Sequence, residues 1–461
     1  MSNGFIVMAQ ISGDKGADSL SLDRSIKYGN LPNGLTYFIK PVSGAGNGVY
    51  MKLIHRVGAN QEDSDQNNYA HAVEHLAFKP TKNFPSGILN SELLEELGGD
   101  NFKVDAGNGK RSTVYTFDSS NGSLRGVEAG LLWFRDIVDG LELTQKNIES
   151  VRGEVREEFL GKNGAKINDR IATAKMHRAI FPCEQKQVDF LTHHDKIPQR
   201  KLRRFYKDWY HPQFFAVVIV GNINDTDEIE KLIEANFSGL KSPEKIRKPK
   251  MCDSLYYNRP PQFAVIERQK DSLKFIEDQT ARIHLFIRAP LLKHTLNSGE
   301  GLKNLLQFQL LSDILNERFV DATNDYRFNR INMRSFGLTD LPPGLEIVHT
   351  FENGEGKKSI EKIALVLNQL RTHGISNSEF ERIKTKCLTQ IKQSSASEVR
   401  FWIDQISNYY VKGEALPANK DKFLLSYLSN LTTTDLNSFI KSFLAKEPED
   451  IGIVAPESHS A

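Results

Sequence analysis

Two histidines and a glutamate within five residues have the types and spacing of a metal-dependent hydrolase. His71 and His75 are four positions apart, so a helix places both imidazoles on one face, one turn from each other. Two imidazoles in that relation can bind one zinc ion, and Glu74 lies beside them without having to be a ligand. That is where a general base must lie to take a proton from water on the metal. The stretch therefore predicts a zinc site with hydrolytic chemistry.

A catalytic zinc site needs a third protein ligand, and the helical segment 144–160 offers three candidates. Its buried face is set by apolar residues at helical spacing: Ile148, Val151, Val155 and Phe159. At about 100° per residue, Glu158 points most nearly toward that face, Glu154 comes second, and Glu157 points away. The pattern favours Glu158 as the third ligand and leaves Glu154 as the alternative.

The charge balance gives no reason to expect nucleic acid as a partner. The 461 residues include 60 basic and 58 acidic side chains, for a formal charge of +2. No apolar run approaches the length of a membrane span, and residues 1–10 lack the basic start of a signal peptide. We therefore expect a soluble, cytoplasmic protein without a membrane partner. A periplasmic location is the alternative if the true start lies upstream and includes a signal peptide.

Strand and helix patterns alternate along the chain and divide it into two similar halves. Residues 69–78 predict the helix that carries the two histidines. Residues 202–220 and 436–454 each indicate a helix leading into a short buried strand, a faint internal repeat. The predicted organisation is an N-terminal extension over residues 1–24, a metal-binding α+β domain over 25–240, a Lys- and Pro-rich linker over 241–261, and a second α+β domain over 262–456.

Several longer stretches resemble the M16 metallopeptidases, the family of pitrilysin, insulinase and the mitochondrial processing peptidase. The most specific is His71-Ala-Val-Glu-His-Leu-Ala-Phe-Lys-Pro-Thr-Lys-Asn-Phe-Pro85. The others are Leu31-Pro-Asn-Gly-Leu-Thr-Tyr37, Arg56-Val-Gly-Ala59, Thr113-Val-Tyr115 and Val218-Ile-Val-Gly-Asn-Ile223. The resemblance covers most of the chain. The sequence is most similar to bacterial members of the family. It implies one half of the family's clamshell: two homologous α+β domains, each a mostly antiparallel sheet packed with helices, the second without the metal motif.

The resemblance also implies roles for the metal-site residues. His71 and His75 would be zinc ligands and Glu74 the general base. The family's third ligand is a glutamate on a later helix, and Glu158 aligns with it best. A rival register selects Glu154, so both remain candidates.

Two departures from the family pattern concern the surroundings of the metal. Val151 stands where many members have a second glutamate that supports the site. Asp105 and Ala106 stand at the place of an Asn-Ala pair on the edge strand that receives the substrate. The resemblance therefore implies that Asp105 and Ala106 bind an extended peptide, which would join the sheet as an added strand.

A third departure lies in the second half. Active members use an Arg and a Tyr, seven positions apart, that hold the substrate and stabilise the oxyanion. The aligned positions here are Thr323 and Arg330, and the nearby Tyr326 and Arg327 have a different spacing. The resemblance thus implies an M16-like partner subunit that supplies the Arg/Tyr pair, in a heterodimer rather than a homodimer.

The sequence predicts a zinc metalloendopeptidase subunit that hydrolyses unfolded peptides, in processing such as leader removal or in degradation. An accessory, peptide-binding subunit with little activity is the alternative, favoured by the missing Arg/Tyr pair. The intact His71, Glu74 and His75 oppose that alternative, because binding alone would not need them. A structural zinc site without peptidase activity is a third hypothesis.

Overall fold

The computed structural model describes residues 22–43, 46–163, 167–181, 197–250, 256–269, 280–289, 297–323, 344–352, 354–393, 398–418 and 420–457. Within these ranges the chain forms a mixed α/β fold with two sheets and 13 α-helices. In chain order the helices are α1 (Tyr69–Leu76), α2 (Glu92–Glu96), α3 (Leu124–Asp139), α4 (Gln145–Asn163), α5 (Ile167–Ile180), α6 (Gln199–Trp209), α7 (Thr226–Phe237), α8 (Gly299–Thr323), α9 (Gly356–His373), α10 (Asn377–Gln393), α11 (Val399–Lys412), α12 (Lys420–Asn430) and α13 (Thr433–Phe443).

The first sheet has six strands and is mostly antiparallel. Its strands are β1 (Lys27–Asn30), β2 (Thr36–Pro41), β3 (Val49–His55), β4 (Phe102–Asn108), β5 (Thr113–Ser119) and β6 (Phe215–Gly221). They lie in the order β1-β2-β6-β3-β5-β4, with β2 and β6 parallel and the other neighbours antiparallel. Among the described strands β4 is therefore an edge, which leaves one side of its backbone without a partner strand.

Both faces of the first sheet are covered. The central strand β6 is therefore buried on both sides, which explains why its sequence is apolar throughout. Its alternate side chains Val217 and Ile219 join the main core, together with residues of α1, α3, α6 and α7. Val218 and Val220 face the other way and pack with Trp402 and Tyr410 of α11, among others. A strand buried on both faces has no polar alternation, as the run Phe215–Gly221 illustrates.

The second sheet has four described strands: β7 (Phe263–Arg268), β8 (Thr280–Arg288), β9 (Gly344–Glu352) and β10 (Asp450–Pro456). Their order is β7-β10-β8-β9, with β7 and β10 parallel and the other two pairings antiparallel. Apolar residues of α8, α9, α10, α12 and α13 form the core on one face of this sheet. The expectation of mostly antiparallel sheets packed with helices is confirmed for both.

The chain forms two compact units that are not continuous stretches of sequence. The first consists of residues 1–159, 185–250 and 394–418, and the second of residues 160–184, 251–393 and 419–461. The crossing segments hold α11, which packs on the first sheet, and α5, which packs on β7 and β10 of the second. The domain boundaries at residues 240 and 262 stay a prediction. Helix α5 precedes them in the sequence but belongs to the second unit, and α11 follows them but belongs to the first.

Most helix and strand positions agree with the sequence patterns. The motif helix is Tyr69–Leu76 where residues 69–78 were expected, and Thr144 accepts the backbone N–H of Asn147 at 3.2 Å, as a helix N-cap should. Cys387 is buried as a free thiol. Within the described ranges, none of the helices combines the length and the apolar character needed to cross a membrane.

Candidate metal centre

Helix α1 turns its two histidines away from the core. Ala72, Val73 and Leu76 are buried against the first sheet, whereas the imidazoles of His71 and His75 are 24% and 19% exposed. Because residues four apart share a helix face, the two rings lie one above the other, with their centroids 4.8 Å apart. The apolar residues between them fix the helix, so the orientation of the imidazoles follows from the packing.

A buried carboxylate holds the start of α1, and sequence reasoning missed it. Asn68 precedes the helix with φ 62° and makes no side-chain cap. The Glu62 carboxylate instead accepts the backbone N–H groups of Asn68 and Ala70, each at 2.9 Å. Burial raises the pKa of the Glu62 carboxyl to about 7, although these backbone bonds favour the ionised form. No capping-box spacing links Glu62 to the helix, so only the folded chain reveals its contribution.

The segment after α1 is fixed by a second buried acid, Asp136 of α3. Its carboxylate accepts the Thr81 hydroxyl at 2.7 Å and both the backbone and the side-chain N–H groups of Asn83, at 2.7 and 2.6 Å. The indole N–H of Trp133 donates to the carbonyl of Ala77 at 2.9 Å. Helix α1 is thus held at both ends, which limits the movement of the imidazoles between them.

Three donor atoms of α1 and α4 lie close together. His75 Nε2 is 3.1 Å from Glu158 Oε2, His71 Nε2 is 3.5 Å from the same oxygen, and the two imidazole Nε2 atoms are 3.2 Å apart. Glu158 reaches them because Val151 and Val155, on the buried face of α4, seat that helix in the core. Glu157 is exposed, as the helical pattern predicts.

These three separations match what a tetrahedral zinc ion requires. Zinc–ligand bonds of about 2.0–2.1 Å at the tetrahedral angle put neighbouring donor atoms about 3.3 Å apart. The observed range of 3.1 to 3.5 Å brackets that value. Two imidazoles and a carboxylate are also ligands that zinc prefers, so the residues present fit the ion.

Glu74 is close to these donors and separate from them. Its Oε2 is 3.5 Å from His71 Nε2 and 3.9 Å from His75 Nε2, and its side chain is 7% exposed. Behind it, the hydroxyl groups of Tyr115 and Tyr210 are 3.0 Å apart in the core. Burial raises the pKa of both phenols and the Glu74 charge adds to that effect, so they stay protonated.

Glu154, the rival third ligand, is engaged elsewhere. Its carboxylate pairs with Lys79 and accepts the Ser150 hydroxyl at 3.0 Å, while its nearest approach to the imidazoles is 3.7 Å, to His75 Nδ1. Partial burial opposes its ionisation, but the hydrogen bonds from Lys79 and Ser150 outweigh that and lower the pKa of its carboxyl. Glu154 thus faces the far nitrogen of His75, on the other side of the ring from Glu158.

Asp105 and Ala106 lie on the edge strand β4. The backbone N–H of Ala106 donates to the Asp105 carboxylate at 2.9 Å, and Asp105 is exposed. A backbone donor satisfied by an exposed side chain can exchange that acceptor for a peptide carbonyl. The positions that align with the family's Arg/Tyr pair cannot be compared, because residues 324–343 and the side chain of Thr323 are not among the described parts of the structure.

Two models of one peptidase family match most of the chain. The model described as "Insulinase (Peptidase family M16)" matches residues 46–191, which include α1 and α4, and the one described as "Peptidase M16 inactive domain" matches residues 196–387. The chain belongs to the M16 peptidase family.

Named relatives in that family are zinc proteases. "Probable zinc protease PqqL" of Haemophilus influenzae is 25% identical over 95% of this chain and 47% of its own length. "Zinc protease PqqE" of Helicobacter pylori is 22% identical, over 77% of this chain and 76% of its own length. The chain therefore spans about half the length of its PqqL relative.

Solved structures show the same fold. The first half of the periplasmic protease PqqL from Escherichia coli has a TM-score of 0.74 at 20% identity, covering 95% of this chain and 93% of that one. A protease from Helicobacter pylori has a TM-score of 0.72 at 19% identity, covering 94% and 99%. Both are chains of about this length with this architecture.

Proposed function

We propose that this chain is the zinc-bearing part of an M16 endopeptidase that hydrolyses unfolded peptides. The observation that carries the proposal is the donor set of α1 and α4: two imidazole nitrogens and one carboxylate oxygen at zinc-ligand separations, with a second carboxylate beside them. A structural zinc site would not need that second carboxylate.

His71, His75 and Glu158 would hold the zinc ion. When bound, zinc supplies Lewis acidity, which makes water a stronger nucleophile at neutral pH and polarises the scissile carbonyl. Glu74 lies 3.5 Å from one imidazole donor and is nearly buried, so its Oε2 can accept the proton of the attacking water. The same oxygen then passes the proton to the leaving amine.

The edge strand β4 would bind the substrate as an added strand. Its backbone offers donors and acceptors at the rim of the first sheet, and Ala106 N–H is one of them. Binding through the backbone requires an extended peptide and gives loose sequence preference, so unfolded chains are the proposed substrate class. Peptide processing, including leader removal, and degradation both use such substrates.

A partner would complete the site. The PqqL relatives of this chain are roughly twice as long as the chain itself. Their length supports a second M16-like chain or half that supplies the Arg/Tyr pair. A heterodimer is proposed over a homodimer, because the aligned positions in this sequence are Thr323 and Arg330. The Escherichia coli relative is described as periplasmic, which favours the periplasmic alternative over the cytoplasmic one.

The second candidate is an accessory subunit that binds peptides without cleaving them. One observation favours it: residues 196–387 match the model described as an inactive domain. The first candidate remains preferred, because the His71, Glu74 and His75 set lies outside that match.

Glu74→Gln separates the two candidates. The chain and its Glu74→Gln variant are loaded with zinc, and each is assayed on an unfolded peptide, alone and mixed with an M16 chain that carries the Arg/Tyr pair. We expect zinc content to be unchanged and cleavage to fall by at least about 100-fold, the usual contribution of a general base. Glu157→Gln, an exposed substitution on α4, is the matched control. Cleavage that survives Glu74→Gln would show that Glu74 is not the base.

A further inference from the structure

A second group of metal-binding side chains lies in the other unit, remote in sequence from the first. His177 of α5, His284 of β8 and Glu346 of β9 each offer one donor atom, and these atoms lie within 4.8 Å of one another. The three side chains are 7%, 2% and 3% exposed. No spacing pattern connects residues so far apart in the sequence, so only the folded chain brings them together.

The sheet register explains how two of them meet. His284 lies opposite Val348 and Glu346 lies opposite Phe286, so His284 and Glu346 are diagonal neighbours on the same face. His284 Nδ1 is 2.7 Å from Glu346 Oε1. Helix α5 brings the third side chain: the His177 ring packs edge-on against His284, with their centroids 6.0 Å apart.

Helix α5 packs closely on a glycine of β10. A Cβ at Gly452 would lie 2.2 Å from Met176 Sδ, so a larger residue there would displace the Met176 side chain. Met176 precedes His177, and Gly452 lies opposite His284 in the sheet, so α5 packs on the sheet beside His284. The fold thus holds the third donor beside the other two.

A hydrogen-bonded His284–Glu346 pair alone does not account for His177. His177 Nε2 is buried without a hydrogen-bond partner within the described part of the chain, and it points at Glu346 Oε1 from 3.7 Å. That gap is too long for a hydrogen bond. Two ligands of one tetrahedral zinc ion lie about 3.3 Å apart, so His177 Nε2 and Glu346 Oε1 would move closer by about 0.4 Å on binding one.

The Arg282 guanidinium on β8 bonds to other partners through its Nη2 nitrogen. Arg282 donates to the Thr173 hydroxyl at 3.0 Å and shares the Asp169 carboxylate with Arg268. These bonds lie toward the start of α5, whereas His177 lies near its end.

We propose that His177, His284 and Glu346 form a second divalent-cation site, suited to zinc by its two imidazoles and one carboxylate, which ties α5 to the second sheet. Its role is structural, because all three groups are buried. The proposal is independent of the peptidase activity and goes beyond it.

The test measures bound zinc in the full chain after the first site is removed. The double substitution His71→Ala/His75→Ala removes both imidazole ligands of the first site. The zinc content of the dialysed protein is then measured by mass spectrometry. We expect about one equivalent of zinc to remain, and Glu346→Gln or His177→Gln added to that background to remove it. His349→Gln, a buried histidine on the opposite face of β9, is the matched control and should retain the metal.

A second measurement needs no substitution in the cluster itself. In the His71→Ala/His75→Ala background, cobalt(II) should give the visible absorption of a four-coordinate site, and zinc should raise the thermal-unfolding midpoint. A folded His71→Ala/His75→Ala protein that binds no zinc would overturn the proposal. So would zinc that remains bound after Glu346→Gln, because the metal would then be held by other residues.

Discussion

The residue that distinguishes a metal centre from a pair of histidines in this chain is Glu158. Its oxygen is 3.1 Å from His75 Nε2, whereas Glu154 approaches only the opposite nitrogen, at 3.7 Å. We expect Glu158→Gln to weaken zinc binding by at least about 100-fold, more than the loss of a supporting group usually does. Glu154→Gln should weaken it by less than about tenfold, because an exposed ion pair with Lys79 contributes little. Competition with a chelator of known affinity measures both. Equal losses would reject Glu158 as the ligand.

The raised pKa of the Glu62 carboxyl predicts that the stability of the fold depends on pH. Its pKa is raised to about 7 in the folded chain from an ordinary value near 4.5, so the folded state binds the proton more tightly than the unfolded state. This group therefore stabilises the fold at low pH, and its contribution is lost as pH rises from about 4.5 to about 7.

Glu62→Gln removes that titration. We expect the difference in unfolding free energy between the natural chain and Glu62→Gln to shift against the natural chain between pH 5 and pH 8, as measured by urea denaturation. A difference that does not change with pH would show that Glu62 keeps an ordinary pKa. Asp139→Asn, an exposed change on α3, serves as the control.

At the scale of elements, β4 lies at an edge of the first sheet among the described strands, and its backbone provides the hydrogen-bonding groups of the proposed substrate site. Ala106→Pro removes one backbone donor from that edge, and proline is tolerated on edge strands. The loss of one hydrogen bond, about 1 kcal/mol, should raise KM for an unfolded peptide roughly fivefold and leave kcat nearly unchanged. Gly107→Ala, whose new methyl group meets open space, is the control. An unchanged KM after Ala106→Pro would mean that the peptide binds elsewhere.

Local elements followed from the sequence more closely than their arrangement did. The 71–75 spacing and the apolar residues between the histidines were enough to predict α1. The exchange of α5 and α11 between the units was not predictable, because periodicity reports which face is apolar and not which sheet it covers. The His177 cluster was missed because its three residues are far apart in the sequence. Glu62 was missed because its partners are backbone N–H groups, which no pattern of residue types reveals.

At the scale of the whole molecule, the exchanged helices predict that the two halves of the sequence do not fold separately. Trp402, Ile406 and Tyr410 of α11 cover one face of the first sheet. Burying three such side chains contributes about 5 kcal/mol or more, comparable to the whole stability of a domain.

Separate expression of residues 1–250 and 251–461 checks this. Each fragment alone should show weak near-ultraviolet circular dichroism and aggregate, since each lacks a helix that covers its sheet, and the mixed fragments should recover a folded complex. A first fragment that unfolds cooperatively by itself, with the stability of the intact chain, would show that α11 is dispensable.

The central claim is that His71, His75 and Glu158 hold one zinc ion while Glu74 stays unbound beside it. Anomalous diffraction above and below the zinc absorption edge, from crystals of the zinc-loaded chain, tests it most directly. We expect a peak about 2.0–2.1 Å from His71 Nε2, His75 Nε2 and Glu158 Oε2, with Glu74 outside bonding distance. A zinc peak bonded to Glu154 or Glu74 instead, or no peak beside His71 and His75, would contradict the claim.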